Sequence, residues 1–133
     1  MTAEIALKAL AIWGIILVLA VANGAFRETV LIPRLGNTPA LVLSGSLLSA
    51  LIVAVAYLFL PWLGSHVASQ LWLIGLAWLL LTLIFEFSFG LGSGKDLSEV
   101  LAAYTFRDGN IWPVVLLVTL LAPWLAAKLR GLL

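Results

Sequence analysis

Cysteine is missing from all 133 residues, which removes disulfides, thiolate metal sites, thiol redox chemistry and cysteine nucleophiles together. Charge is almost missing as well. Aspartate, glutamate, lysine and arginine make up 10% of the chain and sum to a formal net charge of +1. There is no basic tract, so nucleic acid is excluded as a partner. Hydrophobic residues reach 64% and the mean hydropathy is +1.21, which leaves too little polar surface to cover a soluble globule. Histidine occurs once, at His66, and a lone histidine cannot hold a metal ion without further ligands. No metal and no cofactor are therefore expected.

What fills the chain instead is four uncharged stretches, residues 9 to 26, 35 to 65, 67 to 85 and 109 to 127. A hydrocarbon core roughly 30 Å thick is crossed by about 20 mostly apolar residues rising about 1.5 Å each. All four stretches meet that length or come close to it. The expected fold is all-α and polytopic: four antiparallel transmembrane helices in one bundle, forming a single domain over residues 1 to 133, with a short interfacial helix before the fourth span. Lys8 before an apolar run, with Ala20 and Ala22 near its end, imitates a signal peptide. The run continues through Phe26 and three further spans follow, so the first helix reads as retained.

The sequence places helices at about 5 to 32, 40 to 60, 71 to 89 and 111 to 129. Pro33 sets the expected end of the first, because proline disfavours helical geometry in the residue before it. The stretch Pro33-Arg34-Leu35-Gly36-Asn37-Thr38-Pro39 reads as a turn, and Pro61 as the end of the second helix. Ala20 with Gly24, and Ser46 with Ala50 and Ala54, are four-residue repeats of small side chains that let helix backbones approach. Trp62, Trp72, Trp112 and Trp124 fall where aromatic belts occur. After Gly92-Ser93-Gly94, Asp96 and Glu99 precede an apolar run in the manner of a capping box variant, which predicts the interfacial helix at about 97 to 106. Pro113 suits a first helical turn, whereas Pro123 should kink the last third of the fourth helix.

Antiparallel threading would gather Asn23, Arg27, Glu28, Ser44, Ser46, Glu86, Ser88, Tyr104, Arg107, Asp108 and Asn110 into one layer near one membrane face. An unpaired Arg or Glu costs about 2.5 to 3.5 kcal/mol at mid-bilayer and less near the edge, so Arg27 is expected to pair with Glu86. Two readings of this layer stand. In one, Asn23, Arg27, Glu28, Glu86, Tyr104 and Arg107 form a binding site, with Arg27 as anion anchor and Glu86 as counter-charge or proton carrier. In the other, Arg27 and Glu86 are a structural ion pair that locks the first helix to the third. Tyr104 reads more as an interface anchor than as a catalytic acid. No Ser-His-acid set can be assembled, because His66 belongs to the opposite face from Glu86 and Asp108. The chain is not expected to be an enzyme. Lys8, His66, Ser69, Gln70, Lys128 and Arg130 on the terminal side read as ordinary flanking groups.

Gly24-Ala25-Phe26-Arg27 is similar to the glycine-to-arginine stretch in the first helix of fluoride channels. The second helix here lacks the asparagine of that family, and the third lacks its threonine- and phenylalanine-rich break. Small multidrug transporters place a glutamate inside the first helix, whereas Glu28 stands at its far end. Asn23-Gly24-Ala25-Phe26-Arg27-Glu28, Phe85-Glu86-Phe87-Ser88-Phe89-Gly90 and Trp112-Pro113 resemble a set of small four-helix bacterial membrane proteins with no assigned role. That resemblance implies a bacterial inner-membrane location and no activity. Lys8, Lys128 and Arg130 on one side against Arg27, Arg34, Lys95 and Arg107 on the other nearly cancel. With Arg27 and Arg107 engaged in the polar layer, both termini are expected in the cytoplasm. The expected partners are membrane lipids and either further copies of the chain or a larger membrane complex. The expected role is to bind or pass a small polar solute, ion or lipid headgroup. The alternative is a non-catalytic accessory or assembly subunit.

Overall fold

The computed structural model describes residues 2–64, 67–102 and 111–131, apart from the side chains of residues 99, 100 and 102. The described residues are helical, without strands. Four segments are long and apolar enough to cross a membrane. The first is a continuous run from Ala3 to Leu35, made of α1 (Ala3–Phe26), a π-helical turn (Arg27–Leu31) and α2 (Ile32–Leu35). The others are α3 (Asn37–Leu63), α4 (Ala68–Gly92) and α6 (Trp112–Leu129), with the short α5 (Leu97–Ala102) between the last two. The outer surface is apolar: Leu7, Val18, Leu58 and Ile84 are among its large exposed side chains. Such a surface suits hydrocarbon and not water.

Every long helix runs past its expected limits except the last, and the reasons are local. Thr2 caps α1 by accepting from the Ile5 amide at 3.2 Å, so the helix starts before residue 5. At the other end Pro33 does not stop the helix. The π turn ahead of it widens the backbone ladder, with the Ile32 amide donating to the Arg27 carbonyl, and Pro33 then sits in the first turn of α2, where its missing N–H is not needed. The expected turn at 33 to 39 shrinks to Gly36, whose φ of 85° lies in the region that glycine enters without steric cost. Pro39 falls in the first turn of α3, again where no donor is required.

At the far end of α3, Pro61 is likewise inside the helix. It cannot donate to the carbonyl of Tyr57 one turn back. Arg130 fills the vacancy: its Nε donates to the Tyr57 carbonyl at 2.6 Å, and its guanidinium lies over the Tyr57 ring at 4.4 Å. Lys8 Nζ donates to the Trp62 carbonyl at 3.1 Å while also pairing with Glu4 at 3.2 Å. Gly64, with φ of 80°, closes the helix by donating to the Leu60 carbonyl. Two cations thus meet the negative end of the α3 dipole and its orphan carbonyls. Lys8 and Arg130 are therefore not ordinary flanking groups.

The helices do not pack in chain order. α6 packs most extensively on α3 and next on α4, α1 packs on α3, and α1 touches α4 more lightly. At Gly75 of α4 an added Cβ would lie 2.0 Å from the Leu120 carbonyl of α6, and at Gly45 of α3 one would lie 2.4 Å from the Ile111 side chain. Gly75 is thus a place where two helix backbones meet directly, and Gly45 makes room for the Ile111 side chain. The expected small-residue seams do not serve this purpose. Ser46, Ala50 and Ala54 are exposed, and beside Gly24 the nearest neighbouring atom is the Arg27 guanidinium.

Cross-helix contacts fix the relative placement. Lys8 meets Trp62 and Asn23 meets Ser44, so the start of α1 lies by the end of α3 and the end of α1 by its start. Ala9 meets Trp78 and Trp13 meets Thr82, which sets α1 and α4 side by side in the same sense. Trp72 stacks on Trp124 at 5.6 Å. The core between the helices is built from Ile12, Ile16, Leu48, Ile52, Leu60, Leu71, Ile74 and Trp78 with alanines of α6. Of the expected fifth helix, residues 97 to 102 are helical, and its remainder lies outside the described residues.

Candidate functional site

The polar residues of the first span are set out along its last turns. Asn23 is buried at 6% exposure and Ser44 at 0%. The Asn23 amide donates to the Ser44 carbonyl at 3.2 Å, and the Ser44 hydroxyl donates back to Asn23 Oδ1. Both groups are satisfied by each other, as burial demands, and the pair ties α1 to α3 below the site. Asn23 is thus a floor for the polar layer and not a free ligand.

Arg27 and Glu28 open the π turn. The Arg27 Nε donates to Glu28 Oε1 at 3.3 Å, with the two side chains 31% and 61% exposed. One Arg27 Nη reaches back to 3.8 Å from the position a Cβ on Gly24 would take, so the guanidinium folds toward the bilayer interior. Thr29 closes the turn by donating to the Ala25 carbonyl at 2.7 Å.

Glu86 lies one turn beyond Thr82 on α4. Thr82 Oγ1 accepts from Trp13 Nε1 at 3.0 Å and donates to the Trp78 carbonyl at 2.7 Å. Arg27 is almost four turns beyond Trp13 on the neighbouring helix. The carboxylate therefore sits inside Arg27 along the bundle, toward the Asn23–Ser44 pair. It is half-buried, beside the stacked rings of Phe85 and Phe89. Gly94, with φ of 94°, turns the chain after α4, and the Lys95 amide returns to the Gly90 carbonyl at 3.1 Å. Among the described residues, Lys95 and Arg27 are the cations whose fields reach Glu86.

The expected contact between Arg27 and Glu86 is not made. The guanidinium takes the sequence-adjacent Glu28 as its carboxylate partner, and it acts on Glu86 only through space. The pairing of Trp13 with Thr82 sets Arg27 about ten residues farther along the bundle than Glu86, roughly 15 Å of helix rise, and the two charges stay unjoined. Tyr104 and Arg107, with Asp108, Asn110 and His66, lie outside the described residues. Sequence reasoning also missed the indole donors: Trp78, 2% exposed, donates to the Ala9 carbonyl at 2.9 Å. The i, i+4 alignment of Trp78, Thr82 and Glu86 was the available signal, since one face of α4 carrying three polar groups must turn toward another helix.

A second concavity lies on the outer flank between α3 and α6, with a cavity volume of about 640 Å³. It is lined by Ala50, Ala54, Tyr57, Val118 and Leu125 among others. The buried Ser49 hydroxyl on its wall has no hydrogen-bond partner among the described residues. No family model, curated protein or solved structure matches the chain.

Proposed function

We propose that four helices cross a bacterial inner membrane in alternating directions, with both termini in the cytoplasm and α5 at the opposite interface. In this reading the polar end of the bundle binds or passes a small polar solute, ion or lipid headgroup. Arg27 and Glu86 make the site, Asn23 its floor and Glu28 the group that orients the guanidinium. Tyr104 and Arg107 are proposed to complete it. The observation that carries this reading is that the polar groups of Asn23, Ser44, Arg27, Glu28 and Glu86 lie toward one end of the bundle while Arg27 and Glu86 are not in contact. A structural ion pair would close that gap, because contact offsets the cost of placing each charge near hydrocarbon. Reconstitution tests it: flux of amines, amino acids and inorganic ions is compared between the wild type, Arg27→Ala and Glu86→Gln in proteoliposomes. Equal leakage for every solute rejects transport.

A second reading, an accessory subunit or homo-oligomer, draws on a different observation. Ser46, Ala50 and Ala54 present small side chains on the exposed face of α3, where another helix could approach closely. Purification in mild detergent separates the alternatives. Stable association with a foreign membrane protein favours the accessory role.

A further inference from the structure

We infer that the groove between α3 and α6 seats a phospholipid of net negative charge, one acyl chain lying in the groove and the phosphate held by the Arg130 guanidinium. The site stands apart from the polar end of the bundle and does not depend on it. The groove, about 640 Å³ in volume, runs from Ser49 and Val118 to Leu58 and Leu129. That is roughly 14 to 16 Å of helix rise, half of a hydrocarbon core about 30 Å thick. The groove thus has the depth of one leaflet. A partner helix crossing the membrane would need a groove through both leaflets, whereas an acyl chain reaches only to the midplane.

Along that depth the lining is hydrocarbon. Ser49 and Tyr57 are its hydroxyl-bearing residues, and the Ser49 oxygen is covered. At the outer end the chemistry changes. Tyr57 and Leu129 both line the groove, and Arg130 lies at its mouth, with Nε donating to the Tyr57 carbonyl at 2.6 Å and the guanidinium over the Tyr57 ring at 4.4 Å. These contacts use Nε and one planar face. They leave the Nη edge, the part of the fork that grips a phosphate, and Arg130 has no ion pair with the described residues.

Net charge at this end of the bundle selects the headgroup. Among the described residues it carries Lys8, Lys128 and Arg130 against Glu4 alone, and Glu4 is already engaged by Lys8 at 3.2 Å. The helix dipoles do not change the sign. Here α3 and α6 end while α1 and α4 begin, so their terminal charges of about one half cancel in sum. Basic clusters between helix ends at a membrane face attract anionic lipids, by about 1 kcal/mol for each cation near the surface.

Native mass spectrometry of the purified, delipidated full chain tests the site, with phosphatidylglycerol and phosphatidylcholine of identical acyl chains as probes. One phosphatidylglycerol per chain is expected, held at least about fivefold more tightly than phosphatidylcholine. Arg130→Gln should bring that ratio close to unity, whereas Arg34→Gln, which removes an exposed cation from the opposite end, should leave it unchanged. Because Arg130 also serves the Tyr57 carbonyl, a second variant spares that bond. Ala54→Trp fills the groove from its exposed floor and should weaken both lipids at least about fivefold. Equal affinity for the two lipids, or an Arg34→Gln loss as large as that of Arg130→Gln, overturns the inference. So does an Ala54→Trp chain that binds lipid as the wild type does. Conversion of a lipid-free dimer into a monomer by Ala54→Trp would give the groove to a second copy of the chain and overturn it as well.

Discussion

Trp78 illustrates how a side chain of the membrane interior is chosen by its polar edge. Its ring fills the space between α1 and α4, but its N–H must find an acceptor, and the Ala9 carbonyl at 2.9 Å supplies it. Replacement by phenylalanine keeps most of the volume and deletes the donor. Trp78→Phe should lower unfolding free energy in detergent or bicelles by about 0.6 kcal/mol and by no more than about 2 kcal/mol, the range for interhelical hydrogen bonds in membranes. The reciprocal pair Asn23–Ser44 is a stronger test, because Ser44→Ala removes the hydroxyl that donates to Asn23 Oδ1 and Asn23→Ala removes both of its bonds to Ser44. A double-mutant cycle with Asn23→Ala and Ser44→Ala should give a coupling energy of about 0.5 to 2 kcal/mol. A coupling near zero would mean that water or lipid replaces the bond without loss. The Arg27–Glu86 expectation failed as a contact at this same scale. Topology and hydropathy place both residues toward one end of the bundle, but they contain neither the helix register that offsets the two nor the contact of Arg27 with Glu28.

At the scale of the helix, the four spans were legible because 20 or so apolar residues have few alternatives in a bilayer. Their ends were not. Pro33, Pro39 and Pro61 each suggested a break, and each is absorbed, by a π turn, by a first-turn position and by a donor from another helix. The last case is testable. In the native sequence Arg130→Ala leaves the Tyr57 carbonyl without its donor and should cost about 1 to 2 kcal/mol. In a Pro61→Ala background residue 61 regains its own N–H, and the same arginine substitution should cost measurably less. Equal losses in both backgrounds would show that Arg130 acts through the Tyr57 ring alone. Gly75→Ala should be more damaging than either, by about 1 to 3 kcal/mol or more, because the new methyl would meet the rigid Leu120 backbone and not a flexible side chain. Thermal unfolding of the purified variants ranks them. The seams Ala20–Gly24 and Ser46–Ala50–Ala54 misled because spacing alone does not say which face turns inward.

For the whole molecule, the lack of cysteine becomes a tool. Single substitutions Ser69→Cys and Ser93→Cys report the two ends of α4 on a background with no other thiol. With the proposed orientation, a membrane-impermeant maleimide added to intact cells should label position 93 from the periplasm, and position 69 only after the membrane is opened. Labelling of both positions in intact cells would indicate insertion in two orientations, which the near balance of flanking lysines and arginines allows. The composition made the membrane class plain. The neighbour relations were hidden, because helices adjacent in sequence need not be adjacent in the bundle.

Those neighbour relations bear on biogenesis. α3 ends at Leu63 and α4 begins at Ala68, yet each packs chiefly on α6, the last of the four spans to leave the ribosome. Until it arrives, the surface around Gly75 and the wall around Gly45 face lipid or an insertase. Completion of the bundle is therefore expected to wait on α6, and a ribosome stalled before residue 111 should present three loosely associated helices to quality-control proteases.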